Sequence, residues 1–142
     1  MRREGVAVTI IVIFLLPGCM DSQEDGPSLI GTEYRDPPEA PDFTLKNQNG
    51  ADVRLSDYED KVVVVAFIYT SCPDVCLVIS SNLAYVYENL GGHSENVEMI
   101  SITIDPARDT VSRLSQWTDD MGYQWDHLTH DRGSVMQSVW DN

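Results

Sequence analysis

The sequence predicts an α/β fold, a sheet covered by helices and entered through a β-hairpin. Two observations carry that expectation. Lys61 to Tyr69, KVVVVAFIY, is a continuous β-branched and aromatic run of strand length, as in a strand covered on both faces. Beyond it, helical and strand-like periodicities alternate as β-α-β-α-β-α, with no internal repeat and no low-complexity tract. A chain of 142 residues, 42% hydrophobic and 23% charged, is enough for one domain with its own core.

Each element has its own signal. Phe43 and Leu45 alternate with polar residues, Asn49-Gly50 supplies a turn, and Val53 and Leu55 resume the alternation, which predicts a hairpin closing at Ser56-Asp57. After the central strand, Cys76, Ile79, Leu83, Val86, Tyr87 and Leu90 recur at helical spacing until Gly91-Gly92. Pro73 fits just inside a helix start, so Cys72 is expected at the cap and Cys76 one turn in. Val97 to Ile104 is a second strand. Asp109 or Thr110 caps a second helix that carries Val111, Leu114, Trp117 and Met121 on one face and ends at Gly122. Trp125 to Thr129 forms a short third strand, and a last helix starts at Arg132 and runs to Trp140 on Val135 and Val139.

The segment ahead of the domain reads as an address. Arg2 and Arg3 precede an apolar run from Val6 to Leu16, too short for a membrane span. Leu16 and Gly18 stand before Cys19 as in a lipoprotein signal, which this segment resembles; residues 1–18 are then the signal and Cys19 the lipidated residue. Residues 19–40, with Pro27, Pro37, Pro38 and several acids, read as a tether, and the domain occupies 41–142. This organisation puts the domain outside the cytoplasm, on a membrane.

A net charge of −14 excludes nucleic acid as a partner, since phosphate binding needs a basic surface. The carboxylates read as a solvated acidic face. Of three cysteines, Cys19 belongs to the anchor, leaving Cys72 and Cys76 as an isolated pair in an oxidising compartment. Both follow the central strand, and Asp105 follows its neighbour. In an open α/β sheet the reactive crevice lies beyond the carboxyl ends of the strands. A thiolate favoured by a helix N-terminus serves either disulfide exchange or Cu(I) binding. The C-x-x-x-C spacing opens wider than the C-x-x-C of thiol oxidoreductases and suits a soft two-sulfur copper site. Structural zinc normally takes four protein ligands and is the poorer fit. A purely structural disulfide would staple very little chain.

FIYTSCPDVC, then ISITIDPARDT, together with the opening PDFTLKNQNGADVRLSDYEDKVVVV, resemble the SCO/SenC family of copper-binding assembly proteins. The likeness runs from Pro41 to the end of the chain. It implies a thioredoxin-like fold and membrane tethering. It also implies a role in building the CuA centre of cytochrome c oxidase, with subunit II of that enzyme as partner. By the same resemblance Cys72 and Cys76 are copper ligands, and Asp74, Asp105, Arg108 and Asp109 belong to the supporting signature.

The sequence departs from the family at Leu77, where proline is usual, at Ser71, often histidine or a small residue, and at the third ligand. The family's distal histidine lies on a closing hairpin beyond the helix that begins at Arg132. The reading is therefore of a domain lacking its C-terminal closing hairpin and helix, a truncated or partial chain. Of the histidines present, His93 falls at the far end of the sheet, His127 within the third strand, and His130 just past it, on the crevice side. A structural or exposed role is expected for each. Two functions follow: a copper carrier, or a thiol:disulfide oxidoreductase that keeps the oxidase's copper-site cysteines reduced.

Overall fold

The computed structural model describes residues 30–141. The signal, Cys19 and the first part of the tether lie outside the described residues. Residues up to Pro37 form one unit and those from Pro38 another. Residues 30–37 are exposed and adopt neither helix nor strand.

In the second unit the hairpin is built from β1 (Thr44–Lys46) and β2 (Asp52–Arg54), paired antiparallel. Asn47 organises its turn: its side-chain carbonyl accepts the N–H groups of Asn49 and Ala51, each at 3.0 Å. Gly50, at φ 78°, supplies the left-handed residue. Instead of a simple turn at Ser56-Asp57, the chain makes a 3-10 helix over Leu55–Tyr58, where Asp57 accepts the Arg54 N–H at 2.9 Å.

Three parallel strands follow, β3 (Val62–Ile68), β4 (Val97–Thr103) and β5 (Asp126–Leu128), in the order β3-β4-β5. Lys46 and Thr129 exchange backbone hydrogen bonds of 2.8 and 2.9 Å, joining the hairpin to the β5 end. Helices α1 (Val75–Glu88), α2 (Val111–Met121) and α3 (Gly133–Trp140) provide the crossovers and the last element.

The sheet separates two cores. On one face Ala66, Ile68 and Met99 meet Trp117, Tyr123, Trp125 and both cysteines, with Ile79 and Leu83 of α1 packed on. On the other, Leu45, Val53, Ile100, Ile102 and Leu128 enclose Met136 of α3. Met136 is fully buried, and truncating such a side chain costs about 2–5 kcal/mol.

Thr110 caps α2, its hydroxyl accepting the Arg113 N–H, and Gly122 ends it at φ 71°. Asp109, the other expected cap, is instead fully buried and engaged elsewhere. Helix α1 stops at Glu88, earlier than Gly91-Gly92, and a 3-10 segment over Gly91–Asn96 leads into β4. Its amphipathicity is weak, because Val75, Val78, Tyr85 and Val86 are exposed. Met121, expected on the apolar face of α2, is also exposed.

His127 is fully buried in β5. Its ring packs against Trp117, Tyr123 and Trp125 at centroid separations of 5.0 to 5.8 Å, and Nε2 has no hydrogen-bond partner among the described residues. Burial pushes its pKa down to about 4, only partly offset by a backbone hydrogen bond at Trp125. In the unfolded chain the imidazole binds its proton near the ordinary 6.5. Stability from this site is therefore complete above about pH 6.5 and falls by about 3 kcal/mol as the pH drops toward 4. Urea unfolding at several pH values should show this slope, and His127→Gln should flatten it; equal slopes would contradict the assignment.

The outer edge of β3 has no strand partner among the described residues, and Val62, Val65 and Phe67 are exposed on it. Val65 and Phe67 line a groove of about 490 Å³ with Phe43, Val63 and Val139. An uncharged edge of this kind invites strand pairing between molecules. The purified chain is expected to self-associate, and the double change Val65→Lys, Phe67→Lys to shift its sedimentation toward the monomer.

Candidate metal centre

The centre is assembled where β3 hands over to α1. After Ile68 the chain turns at Tyr69, whose carbonyl accepts the Cys72 N–H at 3.2 Å. Helix α1 is then capped by Asp74 rather than by Cys72, because Pro73 precedes the cap instead of occupying the first turn. The Asp74 side chain makes no capping bond and is exposed. The Cys72 sulfur takes over that role. Its Sγ accepts the backbone N–H of Cys76 at 3.4 Å, using one of the donors that a helix start leaves unpaired.

Cys72 and Cys76 are both free and both buried. Their environments are unequal. The Cys72 thiol is drawn down to about 7, first by its hydrogen bond with the Cys76 side chain and next by the backbone N–H groups of Asp74 and Cys76. Cys76 is pushed up, mainly by burial and then by the same bond to Cys72. Tyr69 is a third group at the pair: its hydroxyl pKa rises, first through a hydrogen bond with Cys72. One sulfur is thus poised as a thiolate near neutral pH while its neighbour keeps its proton.

The second loop arrives in step because β3 and β4 are parallel and in register, Ile68 opposite Thr103. The Ile104 N–H then bonds the Ile68 carbonyl at 2.9 Å. Asp105 and Arg108 pair with each other, with the Arg108 side chain largely exposed, so these two signature residues form a rim. Asp109 goes inward. Its Oδ1 accepts the Thr70 hydroxyl at 2.6 Å, and its Oδ2 accepts the Thr70 N–H at 3.0 Å and the Thr103 hydroxyl at 2.6 Å. All three partners are donors, which suits an ionised carboxylate. An outer layer holds the inner one: the Asp105 N–H donates to Thr103 Oγ1 at 2.9 Å, and Arg113 Nε donates to Thr70 Oγ1 at 3.1 Å.

No histidine joins the sulfurs. His93 is exposed in the 3-10 segment, and His127 is enclosed by aromatic rings. His130 accepts the Arg132 N–H at its Nδ1, lies beside Asp131, and lines a separate 160 Å³ cavity with Lys46, Pro106 and Thr110. No group of three or more His, Cys, Asp or Glu side chains among the described residues is arranged to hold a metal ion. Tyr69, Thr70, Thr103 and Arg113 were not legible as site residues from the sequence. The available signals were Tyr69 and Thr70 inside the FIYTSCPDVC motif and a threonine, Thr103, ending the second apolar strand.

Comparison with known proteins matches residues 32–139 to a family model described as SCO1/SenC. Protein SenC of Rhodobacter capsulatus is 37% identical over 87 residues, which cover 61% of this chain and 39% of that protein. The copper-bound structure of ScoI from Bradyrhizobium japonicum superposes with a TM-score of 0.63 at 28% identity, covering 71% of this chain and 66% of that one. A structure of BsSco, described as "a member of the Sco family of cytochrome c oxidase assembly proteins" with "a disulfide switch", gives 0.63 at 26% identity, over 71% and 60%. The chain spans about half or less of the length of the first curated relatives it matches. The α/β architecture is therefore the thioredoxin-like fold of the Sco proteins.

Titrating the ultraviolet thiolate absorbance should reveal one group near pH 7 and a second well above it. Cys76→Ala removes the side-chain donor to Cys72 and should raise the first midpoint toward the ordinary thiol range. Two coincident high midpoints in the wild type would contradict the asymmetric pair.

Proposed function

The chain belongs to the SCO1/SenC family, and from that premise we propose that it carries copper on Cys72 and Cys76 for assembly of the CuA centre of cytochrome c oxidase. The observation that carries this reading is the pair of free, buried thiols, one of them drawn toward the thiolate, beyond the carboxyl end of β3. Two thiolate sulfurs form a soft donor set that selects Cu(I) over the harder divalent ions. Support comes also from ScoI, solved with copper bound, and from BsSco, described as an oxidase assembly protein.

Copper is here cargo. Cys72 offers a sulfur whose proton is lost near neutral pH, and Cys76 gives up its proton as the second sulfur engages. Release then proceeds by ligand exchange, an incoming thiolate or imidazole of the acceptor site replacing Cys72 and Cys76. The acceptor in this reading is subunit II of the oxidase. Tethering through Cys19 after removal of residues 1–18, with residues 19–40 as the spacer, would hold the carrier at the extracytoplasmic membrane face where that subunit exposes its copper site.

The unequal thiols also favour a second reading, that of a thiol:disulfide oxidoreductase. The Cys72 thiolate would attack a partner disulfide, forming a mixed disulfide and releasing one partner thiolate. Cys76 would then lose its proton and attack Cys72, releasing the second, so that the partner gains two electrons and this chain ends with a Cys72–Cys76 disulfide. An external dithiol would be needed to reset it.

Titration of Cu(I) into the reduced chain against a chromophoric chelator separates the two. One tightly held copper per chain, lost in both Cys72→Ser and Cys76→Ser, is the expected result. Catalytic reduction of insulin without measurable copper affinity would overturn the carrier reading and leave the oxidoreductase.

A further inference from the structure

We propose that Asp109 is a positioning residue for the metal centre, its buried carboxylate holding the loop that presents Cys72 against the end of β4 through Thr70 and Thr103. This rests on the copper reading for its purpose, and on the hydrogen-bond geometry for its substance.

Thr70 stands two residues before Cys72, and Asp109 grips it twice, at the backbone N–H and at the hydroxyl. Those two bonds fix both the main chain and the side-chain rotamer of Thr70 at the point where β3 becomes the cysteine loop. The next constraint is the Cys72 N–H on the Tyr69 carbonyl, so the rotational freedom left to the first sulfur is small. On the other side, Oδ2 also takes the Thr103 hydroxyl, and Thr103 is the last residue of β4. Asp109 therefore ties the cysteine loop to the neighbouring strand directly.

Its own position is secured in turn. The Asp109 N–H bonds the Asp105 carbonyl at 2.9 Å, and the adjacent Thr110 caps α2. Burying a carboxylate is costly unless every lone pair finds a donor. A cross-link needed only for stability would be served as well by apolar side chains. Here the charge is aimed at the residue that leads into Cys72, so what it secures is the register of the first sulfur.

The experiment compares Cu(I) affinity, by chelator competition, in the full chain and in Asp109→Asn, Thr103→Val, Thr70→Ser and Met136→Ala. The asparagine variant turns an amide N–H₂ toward groups that are themselves donors and loses at least one bond. Its copper affinity is expected to fall roughly 10- to 100-fold, as is typical when a group behind a metal ligand is lost. Thr103→Val removes one of the three bonds and should give a smaller loss in the same direction, which keeps the test open should Asp109→Asn fail to fold. Thr70→Ser retains both donors to Asp109 and should lose less affinity than Asp109→Asn. Met136→Ala, destabilised on the opposite face of the sheet, should keep wild-type affinity, so that weakening in step with stability alone would overturn the assignment. The equilibrium between the Cys72–Cys76 dithiol and its disulfide in glutathione buffer needs no copper. A severalfold shift of that constant in Asp109→Asn is expected, and an unchanged constant together with unchanged copper affinity refutes the positioning role. If the wild type binds no copper, the carrier reading falls and the glutathione constant alone decides the role of Asp109.

Discussion

The parallel, in-register pairing of β3 with β4 is the constraint on which the rest of the structure depends. Seven successive residue pairs, from Val62 with Val97 to Ile68 with Thr103, deliver the ends of the two strands to the same level. Without that register the loops that follow would emerge at different heights, and no hydrogen bond could reach from Asp109 to Thr70. The driving force for the pairing is the burial of apolar side chains on both sides of β4, where Met99, Ile100 and Ile102 are almost completely removed from water. The chemistry of the loops is a consequence of the hydrophobic pattern of the strands.

Polar groups are then placed where that apolar sandwich would otherwise leave the site unsupported. Thr103 belongs to both worlds: its hydroxyl serves Asp109, while its carbonyl accepts Nε1 of Trp140 at 3.2 Å. A helix on the far face of the sheet thus braces the floor of the cysteine loop. On the near face, Trp125 Nε1 donates to Ser101 Oγ at 2.9 Å, and the stacked rings of Tyr123, Trp125 and His127 fill the space beside α1. Both of these indoles find an acceptor, as buried indoles usually do. His127 pairs at Nδ1 with the Thr118 hydroxyl at 3.2 Å and leaves Nε2 without a partner among the described residues; burial keeps the ring neutral, which disqualifies it as a ligand for reasons of burial as much as of position.

The fold was readable because its signal lies in periodicity. KVVVVAFIY reads as a strand, and it is one, but not the central strand covered on both faces that its unbroken apolar run predicts: β3 lies at the sheet edge with Val62, Val65 and Phe67 exposed, and β4 takes the middle position. Asn49-Gly50, Thr110 and Gly122 announce a turn and two helix ends through backbone chemistry that depends little on context. The errors have physical causes. Helix α1 was read through to Leu90 because its apolar residues continue, yet the chain leaves the helix at Asn89, and the apolar Val86 and Tyr85 remain exposed. Cys72 was assigned to the cap because Pro73 is a favourable first-turn residue; the chain places the proline one step earlier and lets sulfur do the capping. Of the signature residues, the cysteines came together as the spacing implied. The inward turn of Asp109, beside the outward turn of Asp105 and Arg108, was not legible, since all three are charged residues on one short loop and only the packed structure distinguishes them.

Under the proposed carrier reading a metal must be both held and let go, and the arrangement around Cys72 bears on both demands. Holding is favoured by a sulfur that is close to ionised at neutral pH and by a loop whose entry is fixed at Thr70. Release is favoured by the other sulfur. Burial raises the proton affinity of Cys76, so the second thiolate is the one that reprotonates more readily when a competing ligand approaches. The buried Asp109 carboxylate adds to this, its charge also raising the proton affinity of Cys76. The asymmetry of the two cysteines is set by one helix start, whose N–H groups draw Cys72 down, and by burial, which pushes Cys76 up.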